Sequence, residues 1–226
     1  EEQKRDLARK WVKFQKIASS EQRLELIVLD INSHFIKNIK DTGFKAMLAT
    51  SSKFEAIKYH KLFEELGNIK TAFVISPPDT REGYEDIDND NKTFINEEWQ
   101  KIIKQYGDED RYLEKIKDEF IEGEELELLI VVDKLLTGFD APRATVLYID
   151  KELKEHNLLQ AIARVNRLYD GKDFGFIIDY RGLLGNLDKA LTSYSSLDGF
   201  DEEDLLGAVV DIKNEIAKLK NFYSYL

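Results

Sequence analysis

Hydrophobic and polar positions along the chain change period several times, and each period predicts a different element. The run KAMLAT at 45–50 is apolar and of strand length, and helical spacing follows over 53–66. Ser52 and Glu55 stand three residues apart at the start of that helix, which is the spacing of a capping box. A second apolar run, TAFVIS at 71–76, completes a strand–helix–strand unit, the building block of a parallel sheet.

The same periods continue through the rest of the chain. Three more runs have strand length, and the first is apolar throughout, as a strand buried on both faces should be: 126–132, 145–150 and 174–179. Helical spacing predicts further helices over 2–18, 24–35, 97–106, 110–121, 158–167 and 202–223. This order predicts an α/β fold in which a parallel sheet carries helices on both faces.

The helix between the last two strands, LLQAIARVNR at 158–167, carries a polar face. Gln160, Arg164 and Arg167 follow the spacing i, i+4 and i+7, which places them on one side of a helix. The apolar residues fall on the other side and can face a core: Leu158, Ala161, Ile162, Val165 and Leu168. The polar triad therefore points away from the core, either as a solvated face or as a device that binds phosphate.

Polar clusters follow three of the predicted strands: TSS at 50–52, DKLLTGFDAPR at 133–143 and DYR at 179–181. Ligands of open parallel sheets bind outside the carboxyl ends of the strands, so these clusters are expected at one edge. In the second cluster Gly138 permits close backbone approach, Thr137 offers a hydroxyl and Asp140 a carboxylate. Taken alone, the same residues also fit an ordinary turn.

The charge distribution changes what the net charge of −11 implies. The segment 79–127 holds 18 acidic and 7 basic residues, which accounts for the whole of that charge. The rest of the chain is therefore neutral overall, and a basic groove can lie there. The chain has no cysteine, which excludes disulfides and thiolate metal sites and predicts a cytoplasmic location. No apolar run reaches the roughly 18 residues that span a bilayer, so no membrane partner is predicted.

A possible calcium loop lies in the acidic segment. DIDNDNKTFINE at 86–97 has aspartates at positions 1, 3 and 5 and a glutamate at position 12, the ligand spacing of an EF-hand. Asn91 stands where the usual glycine would be, and no clear helix enters the loop, so a solvated loop is the main interpretation. The three histidines are not at metal spacing, and no metal site is predicted.

Two of these stretches together resemble a known family. Gln160, Ala163, Arg164 and Arg167 are similar to motif VI of superfamily 2 helicases, Gln-x-x-Gly-Arg-x-x-Arg, with alanine for glycine, and TGFDAP resembles motif V. The longer stretch VVDKLLTGFDAPRATVLYIDKELKEHNLLQAIARVNR resembles the restriction (R, HsdR) subunit of type I restriction–modification enzymes, as do ISPPDTREGYE and DFGFIIDYRG. The resemblance covers about residues 45 to 190.

The resemblance implies the second RecA-like lobe of an ATP-dependent DNA translocase. This lobe has a parallel sheet flanked by helices, lacks a P-loop of its own and carries extra N- and C-terminal helices. The implied organisation is helices linking from a preceding lobe at 1–40, the motor lobe at 41–195 with an acidic insertion at 79–125, and a C-terminal helix at 196–226.

The resemblance also implies roles for individual residues. Arg164 and Arg167 would be arginine fingers to ATP and Mg²⁺ held mainly by the first lobe, with Gln160 orienting the nucleotide or water. Asp140 and Gly138 would serve the nucleotide side, with Asp140 coupling it to DNA. The contacts to the DNA backbone would come from Thr50, Ser51, Ser52, Thr137 and Gly138.

Several motifs of a complete enzyme are absent from this sequence. It contains no Gly-x-x-x-x-Gly-Lys-Ser/Thr phosphate loop and no Pro-Asp…Glu-x-Lys nuclease signature. We therefore expect that the isolated chain neither hydrolyses ATP nor cuts DNA, and that it is a piece of a longer protein. The implied partners are duplex DNA, a preceding nuclease domain and first RecA-like lobe, and the modification and specificity subunits.

Two alternatives stay open at this level. The chain could be a non-catalytic RecA-like interaction module whose acidic segment 79–127 docks a basic partner, or a lobe of another superfamily 2 translocase. A phosphate loop encoded upstream would favour a motor, and its absence would favour the interaction module.

Overall fold

Five parallel strands form the centre of the protein. The computed structural model describes residues 21–78, 89–136, 140–153 and 155–183. The helices are α1 (Glu21–Asn38), α2 (Lys53–Leu66), α3 (Asn89–Tyr106), α4 (Glu109–Ile121) and α5 (Glu155–Val165). The strands are β1 (Lys45–Thr50), β2 (Thr71–Val74), β3 (Leu128–Val131), β4 (Ala144–Asp150) and β5 (Phe176–Asp179), in the sheet order β2-β3-β1-β4-β5. The predicted helices 2–18 and 202–223, and also Thr137 and Gly138, lie outside the described residues.

The sheet confirms the predicted α/β fold. β1 lies between β3 and β4, and Ala46 pairs in register with both Leu128 and Val146. All residues of these three strands are buried, as the continuous apolar runs predict. β5 is an edge strand and is only partly covered. Within the described residues, no helix is both long and apolar enough to cross a membrane.

Helix α1 packs on the sheet along β4 and β5. Its apolar stripe is buried as its spacing predicts: Leu24, Ile27, Val28, Ile31 and Phe35. Beside this stripe, Nδ1 of His34 lies 2.8 Å from the hydroxyl of Tyr148, and the hydroxyl of Tyr180 donates to Asp30 at 2.7 Å. These contacts tie α1 to the same structural unit as the strands.

Helix α2 begins at a cap close to the predicted one. Ser52 Oγ accepts a hydrogen bond from the backbone N–H of Glu55 at 3.1 Å, as in a capping box. The Glu55 carboxylate accepts from the N–H of Ser51 at 3.0 Å, one residue earlier than the predicted partner. At the other end Gly67 adopts the left-handed conformation (φ 68°) and its N–H donates to the carbonyl of Phe63.

Helix α3 begins at Asn89, inside the segment where the sequence predicted a loop. The aspartates and asparagines of this segment are weak helix formers, so the sequence did not indicate a helix there. The helix nevertheless has an apolar stripe that includes Phe94 and the buried Trp99. Phe94 packs edge-on against Phe54 of α2 at 5.6 Å between ring centroids. Asn91 is helical, whereas a calcium loop needs a sharp turn at that position, which argues against the calcium alternative. Asp86 and Asp88, its first two predicted ligands, lie outside the described residues.

Two lysine side chains are buried in the described core. Lys45 is 3% exposed and donates to two backbone carbonyls at the end of α4, and Lys172 is 4% exposed. The ammonium of Lys172 donates to the carbonyl oxygens of Pro142 and Ala144 at 2.8 and 2.7 Å. Burial lowers the pKa of Lys172 to about 8, and burial together with the charge of Arg143 lowers the pKa of Lys45 to about 8.

We expect the chain to become more stable as the pH rises from 7 to 9. Between pH 8 and the ordinary lysine pKa of 10.5, the unfolded chain binds more protons than the folded one, so the free energy of unfolding rises with pH. The rise is about 1 kcal/mol for each lysine. Urea denaturation of the 226-residue chain at three pH values measures it. Lys172→Met should remove half of the rise, and an undiminished rise in that variant would contradict this explanation.

Candidate functional site

The end of α5 places the predicted arginines differently from the sequence prediction. The helix ends at Val165, so Arg167 lies two residues beyond it and is not part of a continuous helical face. The predicted core residues up to Val165 are buried, but Leu168 is 81% exposed because the chain has already left the helix. Gln160 and Arg164 lie on the helix and are half-buried.

Arg167 pairs with Asp140 at the protein surface. Nη1 of Arg167 lies 2.7 Å from Oδ1 of Asp140, and the two side chains are 45% and 60% exposed. Pairs this exposed contribute about 0–1 kcal/mol, so a stronger anion can replace the carboxylate at low cost. The structure thus brings together two residues that the sequence assigned to the nucleotide side.

The surroundings of Arg164 disfavour its positive charge. Burial lowers the pKa of Arg164, the charge of Arg167 lowers it further, and the charge of Asp140 opposes both effects. An arginine still keeps its charge at neutral pH. The end of α5 therefore has a half-buried guanidinium on Arg164 and an exposed one on Arg167 beside one carboxylate, an arrangement that a polyanion would stabilise.

The turn after α5 is fixed by close backbone packing. The N–H of Gly175 donates to Oδ1 of Asn166 at 3.2 Å, and a Cβ on Gly175 would overlap the carbonyl oxygen of Val165. Only glycine therefore allows the start of β5 to lie against the end of α5. This packing sets the point from which Arg167 projects.

A buried charge cluster lies at the carboxyl end of β4. Asp150 is fully buried, and its carboxylate accepts hydrogen bonds from Arg23 of α1, Tyr59 of α2 and Arg181 after β5. The bonds from Tyr59 and Arg181 are both 2.6 Å long. We call this group, with Ser51 and Glu55, the Asp150 cluster.

The Asp150 cluster also holds the turn before α2. Ser51 Oγ donates to the backbone carbonyl of Asp150 at 3.1 Å and accepts from Nη2 of Arg181 at 3.1 Å. Nη2 of Arg181 also lies 4.0 Å from the Glu55 carboxylate. The hydroxyl of Ser51, predicted to contact DNA, thus has its hydrogen bonds within the protein.

The neighbouring hydroxyls differ in exposure. Thr50 is fully buried, and its hydroxyl lies within hydrogen-bonding distance of the carbonyls of Val131 and Ser52, at 3.3 and 3.4 Å. Ser52 is half-buried and caps α2. Burial of Thr50 places its hydroxyl out of reach of an external phosphate in this arrangement.

The predicted site residues divide between two edges of the sheet. The turn at 50–52 and Arg181 meet at the carboxyl edge, as predicted. Asp140, expected there too, instead lies with Arg167 near the amino edge, because the chain after β3 runs back to the start of β4. A strand of seven residues separates the two edges by about 20 Å.

Sequence reasoning did not identify the Asp150 cluster. Arg23 and Asp150 are 127 positions apart, and no local spacing connects them. The hydrogen bond to Asp150 raises the pKa of Arg23, and burial together with the charge of Asp150 raises the pKa of Tyr59. A charged residue ending an apolar strand, as in TVLYID, was the available signal.

Comparison with known proteins identifies the family. The family described as type I restriction enzyme subunit R domain 3 matches residues 42–182. The MjaIXP type I restriction enzyme endonuclease subunit of Methanocaldococcus jannaschii is 34% identical over 224 residues, covering 98% of this chain and 19% of that protein. The HindI endonuclease subunit of Haemophilus influenzae is 29% identical over 226 residues, covering 93% and 20%.

The fold has a counterpart among solved structures. A fragment of an HsdR subunit of a type I restriction enzyme from Vibrio vulnificus YJ016 matches with a TM-score of 0.51 and 16% identity, over 76% of this chain and 30% of that one. The chain spans about a fifth of the length of the curated relatives it matches. With its parallel RecA-like sheet and its match over residues 42–182, the chain belongs to the type I restriction enzyme subunit R domain 3 family.

Proposed function

We propose that this chain is the second motor lobe of an ATP-dependent DNA translocase within a type I restriction enzyme. Its amino edge supplies Arg164 and Arg167 to ATP and Mg²⁺ bound by a preceding RecA-like lobe, and its carboxyl edge contacts the backbone of duplex DNA. The observation that carries the proposal is the exposed position of Arg167, beside Arg164 and held only by a surface pair in the part of the chain that the structure describes.

The nucleotide side is supported by the chemistry of the arginine pair. Two neighbouring guanidinium groups suit a triphosphate because phosphoryl transfer spreads charge over several oxygens in the transition state. ATP supplies that anion, and the carboxylate of Asp140 exchanges for a phosphate oxygen at little cost. Gln160, one turn before Arg164, orients the nucleotide or the attacking water.

The DNA side is supported by the start of α2. Backbone N–H groups of a helix N-terminus and the hydroxyl of Ser52 are suited to a phosphate, and such contacts carry no sequence information. Thr50 and Ser51 shape this turn from within instead of contacting DNA with their hydroxyls. Thr137 and Gly138 stay assigned to DNA from the sequence resemblance alone.

Coupling between the two sides is assigned to the chain that connects them. Asp133 pairs with Lys151 at the carboxyl edge, and Asp140, seven positions later, pairs with Arg167 near the amino edge. A change of partner at Asp140 on ATP binding would therefore be transmitted along the chain to the DNA-facing edge.

The whole enzyme includes, on this proposal, modification and specificity subunits and works in the cytoplasm.

The chain alone is expected to be inactive. It should show no ATP hydrolysis and no DNA cleavage with Mg²⁺ and duplex DNA, because the phosphate loop and the nuclease residues lie on other parts of the subunit. The assembled enzyme, assayed at the same chain concentration, should show both activities. Hydrolysis of ATP by the isolated chain, lost in Arg164→Ala, would overturn the division of labour between lobes.

A further inference from the structure

The Asp150 cluster is balanced in charge, so it does not itself attract phosphate. Its two guanidinium groups, on Arg23 and Arg181, face two carboxylates, on Glu55 and Asp150. Asp150 is fully buried, and the side chains of Glu55 and Arg181 are 2% and 10% exposed. A buried, internally neutralised cluster holds structure in place and does not bind an external anion.

Arg181 connects two parts of this cluster with one rigid group. Its Nε donates to Oδ1 of Asp150 at 2.6 Å, and its Nη2 donates to Oγ of Ser51 at 3.1 Å. A guanidinium is planar, so these two bonds fix the distance and direction between the end of β4 and the turn after β1. The ammonium of a lysine has three donors but no planar fork, so it would not fix the direction between the two partners.

The position of Ser51 determines how α2 begins. The N–H of Ser51 donates to the carboxylate of Glu55, and the next residue, Ser52, caps the same helix. If Ser51 shifts, the cap and the first-turn N–H groups shift with it. The hydroxyl of Ser51 is held by the carbonyl of Asp150 and by Arg181, a residue 130 positions away, so Arg181 helps to set the orientation of the helix start.

We propose that Arg181 is a positioning residue for the grip on duplex DNA. Through Asp150 and Ser51 it holds the turn at 50–52 so that Ser52 and the start of α2 face the phosphate backbone. Arg23 adds helix α1 to the same support through Asp150. This inference rests on the proposed motor function, and it adds a residue outside the stretches that resemble helicase motifs V and VI.

The test measures the ATP consumed per base pair moved by the assembled enzyme on duplex DNA bearing its target, with triplex displacement reporting movement. In Arg181→Met we expect ATP hydrolysis to continue while translocation slows, so that the ratio rises about tenfold, the effect of losing about one positioned hydrogen bond. Arg181→Lys should recover part of the coupling. Ser51→Ala should raise the ratio less, since it leaves the Asp150–Arg181 bond in place.

Arg143→Met is the matched control. Arg143 is similarly buried, at 13% exposure, but donates to the carbonyl of Gly43 and pairs with Glu124 at the other edge. Its loss should lower the thermal midpoint without changing the ratio. An unchanged ratio of ATP consumed to base pairs moved in Arg181→Met would overturn the inference, and so would an equal rise in Arg181→Met and Arg143→Met. If Arg181→Met does not fold, Ser51→Ala replaces it, and an unchanged ratio in Ser51→Ala would overturn the inference. An unmutated enzyme that neither hydrolyses ATP nor translocates would instead overturn the proposed function.

Discussion

Arg164→Ala in the complete R subunit is expected to abolish DNA-dependent ATP hydrolysis, with a loss of about 10³–10⁵-fold in rate. The physical reason is that charge developing on the phosphoryl oxygens then lacks a guanidinium partner at the moment of transfer. Arg167→Ala is expected to act in the same direction, because its side chain reaches the same surface beyond the helix end. Steady-state ATPase assays of the assembled enzyme with saturating DNA measure both effects.

The control for these variants is Arg111→Ala. Arg111 is 74% exposed on α4 and pairs with the adjacent Asp108, so its loss should leave hydrolysis unchanged. Binding of the assembled enzyme to target DNA should survive in every variant, since other subunits carry recognition on this account. Full ATPase in both Arg164→Ala and Arg167→Ala would refute the assignment of arginine fingers.

Asp150→Ala is expected to destabilise the fold by about 3–5 kcal/mol, the range for breaking a buried ion pair from one side. The variant leaves the guanidinium of Arg181 and the hydroxyl of Tyr59 buried without their acceptor. It also removes the Asp150 acceptor of Arg23, so α1 loses its hydrogen bonds to the end of β4. Urea denaturation of the 226-residue chain, followed by circular dichroism, measures the change.

Asp133→Ala provides a matched carboxylate at the same end of the sheet. Its side chain is 84% exposed and pairs with Lys151, so its removal should cost less than about 1 kcal/mol. A cycle with Arg23→Met should show that Asp150→Ala costs less when Arg23 is already absent, because fewer buried donors then lose a partner. Equal losses in Asp150→Ala and Asp133→Ala would contradict the role of the buried cluster.

The strands and the order of elements were predictable from local patterns. Continuous apolar runs at 45–50, 126–132 and 145–150 correspond to the three central strands, because burial on both faces leaves no room for alternation. The cap at Ser52 was also visible, since a serine followed by a glutamate three residues later has a local hydrogen-bonding consequence.

What the sequence could not predict depends on tertiary contacts. The helical triad placed Arg167 on α5, but the helix ends at Val165, where Gly175 packs against the backbone carbonyl and leaves no space for a side chain. Likewise, the run after β3 looked like one cluster at one edge, while its end pairs with Arg167 at the opposite edge. The partners of Asp150 come from three distant segments that only the fold brings together.

The most direct test of the arginine-finger claim is a structure of the complete R subunit with Mg²⁺, ADP and an aluminium fluoride that mimics the transferred phosphoryl group. We expect the guanidinium of Arg164 or Arg167 to lie within hydrogen-bonding distance of the fluoride ligands, about 3 Å, with Asp140 released from Arg167. Both guanidinium groups remote from the nucleotide, with the Arg167–Asp140 pair intact, would contradict it.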